Sequence, residues 1–223
     1  MKEYLKAQSK TNEAVLGNGF NADELERFSK SDYRWAENRN KQFRQRIVKK
    51  GEIYQFEFGK NFIPEMSYEH RGLIIGVKQK LLYVLPIFSY DSTKYPDVFH
   101  PIDSPNSKSE MLLLKSSEFV FINHDSVLKL NDIRTVSVNR ILYQHSGRID
   151  PASKTYMLIE SLCLRKYFPV FYHEYEKNTK IIEELNQKVS MLAEEKEKQE
   201  TTIRNLCATI EALRKDATCS SWL

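Results

Sequence analysis

Hydrophobic positions fall into distinct rhythms along the chain. From Gly51 they come in short strand-like runs. EIYQFEF alternates, RGLIIGV and KLLYVLPIFS are almost continuously apolar, and EFVFIN and VLKLNDIRTVSV follow. Five or so short strands with tight connections predict a small antiparallel β-barrel within an α+β fold. The Gln79-Lys80 break is short enough for a hairpin turn, whereas Asp91 to Ser109, rich in Pro, Ser, Asp and Lys, reads as a long loop over the binding face.

Helical spacing takes over after Asp150-Pro151. Met157, Leu158, Leu162 and Leu164 predict a helix packed on the barrel, ending at Pro169. A heptad follows: Ile182, Leu185, Val189, Leu192, Lys196, Gln199, Ile203, Leu206, Ile210 and Leu213 alternate spacings of three and four. This predicts a long C-terminal coiled coil in which the polar Lys196 and Gln199 lower stability but fix register and partner number. The alternative is an intramolecular helix docked on the N-terminal helices. Ahead of the strands, residues 1–20 read as a tail or short helix. The segment from Asn21 has a capping residue, acids in its first turn, and Leu25, Phe28, Trp35 and Phe43 as inward positions. The organisation is thus a polar and basic helical segment (1–49), the barrel (50–170), the coiled coil (171–215) and a short tail (216–223).

Composition narrows the class. Twelve Tyr, twelve Phe and only seven Gly in 223 residues predict a folded core. No run approaches a membrane span or a signal peptide, so the expectation is a cytoplasmic protein that does not enter membranes. Cys163, Cys207 and Cys219 are too scattered for a disulfide framework or a zinc site. Net charge is +4, with 12 Lys/Arg against 7 Asp/Glu in residues 1–50 and 11 against 12 in residues 51–150. The cluster Arg39, Lys41, Arg44, Arg46, Lys49 and Lys50 suits phosphate contact, or is a solvated helix face.

Nucleotide-binding, metalloprotease and serine-hydrolase motifs are absent, and the five histidines have no metal-ligand spacing. What remains is an ordered series: Gly51-Glu52-Ile53-Tyr54, His70-Arg71-Gly72-Leu73-Ile74-Ile75, Pro86-Ile87-Phe88-Ser89, Asp125-Ser126-Val127, and Ile133-Arg134-Thr135-Val136 ending at Arg140-Ile141. In order and spacing it resembles the PemK and MazF toxins of bacterial toxin–antitoxin systems, over about residues 50–168. The resemblance implies a small, strongly bent antiparallel barrel with flanking helices, usually homodimeric. It implies a toxin-type endoribonuclease that cuts single-stranded RNA without a metal or other cofactor and is held inactive by an antitoxin.

Such cleavage proceeds by 2′-hydroxyl attack on the adjacent phosphate, so the site must stabilise extra negative charge and manage two protons. Arg71 matches the family's loop arginine, and Ser89 the hydroxyl position after the third motif; these are the expected catalytic pair. Lys129 and Glu52 match RNA-contacting or site-facing positions of relatives, His70 lies where relatives place proton-transfer or RNA-binding groups, and Phe88 is the remaining RNA-binding candidate. Arg134 also matches the family, is as suited to holding the fold or dimer together as to touching RNA, and stands outside the catalytic pair. Two positions depart from the family: the usual proline after the arginine is Gly72, and the usual threonine is Phe88. Either Ser89 alone suffices, or Phe88 stacks an unpaired base, or catalysis is impaired. Two other readings are open: a non-catalytic RNA- or protein-binding module assembled by its coiled coil, and a toxin of shared fold that acts on a protein target.

Overall fold

The computed structural model describes residues 1–17, 19–40 and 47–219, the last eight of these by backbone alone. Lys41, Phe43, Arg44 and Arg46 therefore lie outside the described residues. The chain divides into two compact units, Met1–Lys166 and Tyr167–Leu223.

In the first unit, helices α1 (Lys2–Gly17) and α2 (Ala22–Asn38) precede seven strands: β1 (Glu52–Glu57), β2 (Glu69–Lys78), β3 (Leu81–Ser89), β4 (Met111–Leu114), β5 (Ser126–Lys129), β6 (Arg134–Ser137) and β7 (Ile141–Arg148). Helix α3 (Lys154–Tyr167) follows. Every strand pairing is antiparallel, in the order β4-β5-β3-β2-β1-β7, with β6 also on β3. Gln79 and Lys80 form the two-residue turn between β2 and β3, as the sequence predicts.

The sheet is open, which corrects the expectation of a closed barrel. Closure would require β4 to pair with β7, but the free edge of β4 is already used. Phe99, in the long loop, donates its N–H to Met111 O at 2.8 Å and accepts from Leu113 N at 2.9 Å. A loop segment takes the edge hydrogen bonds that a seventh pairing would need. Strand β3 is shared along its length: its first half (Leu81–Val84) pairs with β6 and its end (Ile87–Ser89) pairs with β5. Pro86 sits at the changeover, opposite Gly72 of β2.

Strand alternation sorts the core into two faces. Ile53, Leu73, Leu85, Ile87, Leu112, Leu114 and Leu128 form one, covered by Tyr156, Ile159, Leu162 and Cys163 of α3. Tyr54, Phe56, Ile74, Leu82, Val84, Val136 and Ile141 form the other. The predicted α3 helix exists, although Met157 faces outward and Tyr156 and Ile159 take the buried positions.

Helix α2 begins with the capping box formed by Asn21 and Glu24. Its contact with the sheet is polar rather than apolar, correcting the expected inward face: Leu25 and Trp35 are exposed and Ser31 is buried. Ser31 Oγ donates to Glu57 Oε1 at 3.0 Å, and Arg34 bridges Glu57 and Glu69 at 3.0 and 2.7 Å. Burying Glu57 is tolerable because hydrogen-bond donors surround it.

The second unit is dominated by α4 (Pro169–Cys219), a 51-residue helix with proline in its first position, where the absent N–H is no loss. Its heptad seam is solvent-exposed in the single chain. No helix of the described residues is long and apolar enough to cross a membrane.

Leu128 is fully buried where β5, β3 and α3 converge. Leu128→Ala should therefore cost about 2–5 kcal/mol in urea unfolding, with the slope of the transition unchanged.

Candidate functional site

Arg71 leaves β2 on the same face as Leu73, two residues from the fully buried core, where that face runs out to the rim of the sheet. Its cross-strand neighbours are Gln55 on β1 and Ile87 on β3. Gly72, which follows it, has no room for a side chain: a Cβ there would lie 2.4 Å from Val84 Cγ1 and 2.9 Å from Phe56 Cδ2. The departure from proline at this position is therefore set by packing on the opposite face.

The guanidinium is half-buried and has only neutral partners among the described residues. Its Nη2 donates to Ser126 Oγ at 3.1 Å and lies 3.2 Å from His124 Nε2. Because arginine can only donate, this second contact requires the lone pair of His124 to sit on Nε2. Ser89 Oγ lies 2.8 Å from the same nitrogen. Ser89 and Ser126 are directly opposite each other across β3 and β5, so the sheet register itself brings the two hydroxyls together. Burial lowers the pKa of Arg71 from the ordinary arginine value, but the group keeps its proton at any working pH.

Two other arginines of the first unit are neutralised by acids. Arg134 bonds Asp132 at 2.8 Å and Glu65 at 3.3 Å, and Arg34 holds Glu57 and Glu69. Arg71, by contrast, has no acidic partner among the described residues, the condition for receiving an anion from solution.

On its other side lies a second polar group. Gln55 and Tyr143 are paired across β1 and β7, and His145 Nε2 is 3.0 Å from Gln55 Oε1. The rings of Tyr143 and His145 lie 5.2 Å apart between centroids, tilted 51° to each other. Burial, and then the charge of Arg71, lower the pKa of His145. Arg71 is therefore flanked by His124 from the 115–125 loop and His145 from β7.

The loop carrying His124 is pinned at two points. Asp125 Oδ1 accepts from Ser116 N and Ser116 Oγ, both at 2.8 Å. Phe121 rests on Gly147 so closely that a Cβ on Gly147 would be 2.1 Å from Phe121 Cγ. An open groove of about 690 Å³ runs outward from Ser89, lined by Phe88, Tyr90, Asp91, Lys94, Tyr95 and Asp125.

Arg71 and Ser89 meet at His124 Nε2; of the other sequence candidates, Phe88 lines the groove beside Ser89, and His70, Lys129 and Glu52 lie elsewhere. His70 pairs with Phe56 on the opposite face, and burial lowers its pKa. Phe88 turns away from Ser89 and packs against Tyr95 at 4.9 Å and the Val98, Leu113 and Val127 cluster. Lys129 bonds Pro64 O and lies 3.5 Å from Asp132. Glu52 accepts from Lys49 N and Tyr54 Oη, both at 2.8 Å, tying the start of β1. His124, in the loop before β5, and His145, within β7, carry no sequence motif.

A second cleft of about 540 Å³ lies between α2 and the β6–β7 region, lined in part by Arg34, Trp35, Arg39, Lys60, Asn139 and Arg140. Arg34 is already paired with acids there, Lys60 bonds Asp32 at 2.6 Å, and Arg140 is tied to Glu57 O at 2.9 Å. Of the basic cluster ahead of the strands, Arg39 lies over Trp35 at 5.4 Å and Lys50 is 3.4 Å from Glu160. Among the described residues, no group of three or more His, Cys, Asp or Glu side chains is arranged to hold a metal ion.

No protein-family model matches the chain, and no curated protein sequence is significantly similar to it. The likeness to PemK and MazF toxins rests on the residues of this sequence alone.

Two predictions follow from the packing. Gly147 has φ +103°, so Gly147→Ala adds backbone strain to the clash with Phe121; a loss of about 2 kcal/mol or more is expected, with faster hydrogen exchange across 116–125. His70 and His145 both have pKa values held below 6.5 by burial. The unfolded chain therefore takes up protons first as pH falls below about 6.5, and stability should fall with it. Urea midpoints of His70→Gln and His145→Gln should each depend less steeply on pH between about 6.5 and 5 than that of the parent.

Proposed function

We propose that the protein is a metal-independent endoribonuclease of the PemK/MazF toxin type. The observation that carries this reading is Arg71: a half-buried guanidinium, held by neutral groups, with no carboxylate partner among the described residues and a serine hydroxyl alongside. A phosphodiester is the polyanion whose cleavage such a group assists. As the 2′-oxygen attacks phosphorus, the two non-bridging oxygens gain charge, and a forked donor engages both. Ser89 supplies a further donor to the same phosphate, and the groove beyond it, with Tyr90, Tyr95 and Lys94, offers stacking and charge to flanking nucleotides.

The toxin reading brings with it an antitoxin that masks this face. The core strands are nearly neutral in net charge, so RNA affinity depends on the local field of Arg71 and Lys94 and on the basic residues ahead of β1.

Purified protein incubated in chelator with a long mixed-sequence RNA should give discrete products ending in 2′,3′-cyclic phosphate. Arg71→Ala should slow cleavage by roughly 10²–10⁴-fold, and Ser89→Ala should slow it less. RNA left intact at every sequence would overturn the nuclease reading. Binding without product, unchanged in Arg71→Ala, would establish the alternative of a non-catalytic module.

A further inference from the structure

We infer that His145 and His124 form the acid–base pair of the site: His145 takes the proton of the attacking 2′-hydroxyl and His124 delivers one to the leaving oxygen. This rests on the nuclease reading and assigns the two proton transfers that Arg71 and Ser89 leave open. Gln55 Oε1 can only accept, so the 3.0 Å contact places a proton on His145 Nε2 and leaves Nδ1 as a lone pair. The groups facing that ring are Gln55, Tyr143 and Arg71, with no carboxylate among them. Such surroundings favour the neutral, accepting imidazole.

His124 reaches Arg71 from the opposite side. It is exposed, and its Nε2 lies 2.8 Å from Ser89 Oγ, whose oxygen can accept. Arg71 Nη2 donates to the same nitrogen at 3.2 Å, and a bound phosphate takes the guanidinium for itself and frees Nε2 to carry the proton that is delivered. In the reaction the 2′-oxygen bonds to phosphorus and loses its proton to His145 Nδ1. The bond from phosphorus to the 5′-oxygen breaks, and that oxygen takes the proton from His124 Nε2. The products are a 2′,3′-cyclic phosphate and a 5′-hydroxyl, with no other reactant consumed.

The test is single-turnover cleavage by the full chain across pH 5–9, on an RNA that the parent cuts and Arg71→Ala does not. The parent should give a bell-shaped profile. His145→Gln should lose its acidic limb and His124→Gln its alkaline limb, each with a fall of roughly 10²–10⁴-fold. An RNA whose leaving 5′-oxygen is replaced by sulfur needs no protonation there, and should restore His124→Gln but not His145→Gln. The sulfur substrate separates loss of a proton donor from simple misfolding. Rates of His145→Gln within threefold of the parent at every pH, with Arg71 still required, would overturn the assignment and leave the nuclease reading standing. Absence of cleavage by the parent would remove both.

A separate observation concerns α4. Its seam residues from Ile182 to Ile210 are exposed by 50–65% wherever they are apolar, too continuous a stripe to face water. We propose that it pairs with a second copy of itself, antiparallel. Packed that way, Leu185 meets Ile210, Val189 meets Leu206 and Leu192 meets Ile203 of the other copy. Lys196 meets Gln199, and the polar layer falls at the centre of the pair. The flanking positions then place Glu195 beside Thr202 and Glu200 beside Ala193. A parallel pair in register would instead put the two Lys196 side by side and set Glu195 against Glu200 in both directions.

The full chain with Cys207→Ser and Cys219→Ser should have the mass of a dimer by light scattering. In that background, Val189→Cys and Leu206→Cys chains should cross-link to each other when mixed, whereas neither should cross-link to itself. Self-linking of Val189→Cys would show a parallel pair, and a monomeric mass would show that another partner or the chain itself covers the seam. Either outcome overturns the proposal.

Discussion

Arg71 carries a full positive charge at the rim of an apolar sheet face, and no acid of the described residues neutralises it. Partial burial raises the cost of that charge, and two hydroxyl and imidazole contacts offset it only in part. The arrangement is therefore less stable than one completed by a carboxylate, as at Arg134 and Arg34. Its compensation is a standing affinity for anions. The rest of the site follows from strand geometry: β1, β3, β5 and β7 each contribute side chains to the face on which Arg71 lies, and alternation removes every intervening residue to the other face.

That same alternation limits what could be read from the sequence. Arg71 and Ser89 were legible because both lie in motifs whose order along the chain is distinctive, and their meeting follows from the β2-β3 hairpin and the pairing of β3 with β5. His70 shows that proximity in sequence is not proximity in space: one step along a strand places it opposite Phe56, on the other face of the sheet from Arg71. Phe88 and Ser89 repeat the lesson. His124 and His145 were hidden for the converse reason, since they are remote from Arg71 in the chain and reach it only through a pinned loop and the last strand.

The helices show where periodicity is strong and where it fails. The α4 heptad and α3 were legible because their apolar spacing is regular and long. Helix α2 was found by its cap, but its inward face was misjudged, because Ser31 and Arg34 dock it through the buried carboxylate of Glu57. A polar contact leaves no hydrophobic rhythm. The open sheet was equally hidden: whether β4 pairs with β7 or with Phe99 is decided by a loop whose sequence carries no strand signal.

The contact between Phe121 and Gly147 joins the loop that bears His124 to the strand that bears His145. With no side chain on the glycine, the aromatic ring acts as a spacer of fixed thickness between them. The separation of the loop end at His124 from the strand at His145 is thereby set by one ring against one backbone. Neither the loop nor the strand can shift without disturbing that contact.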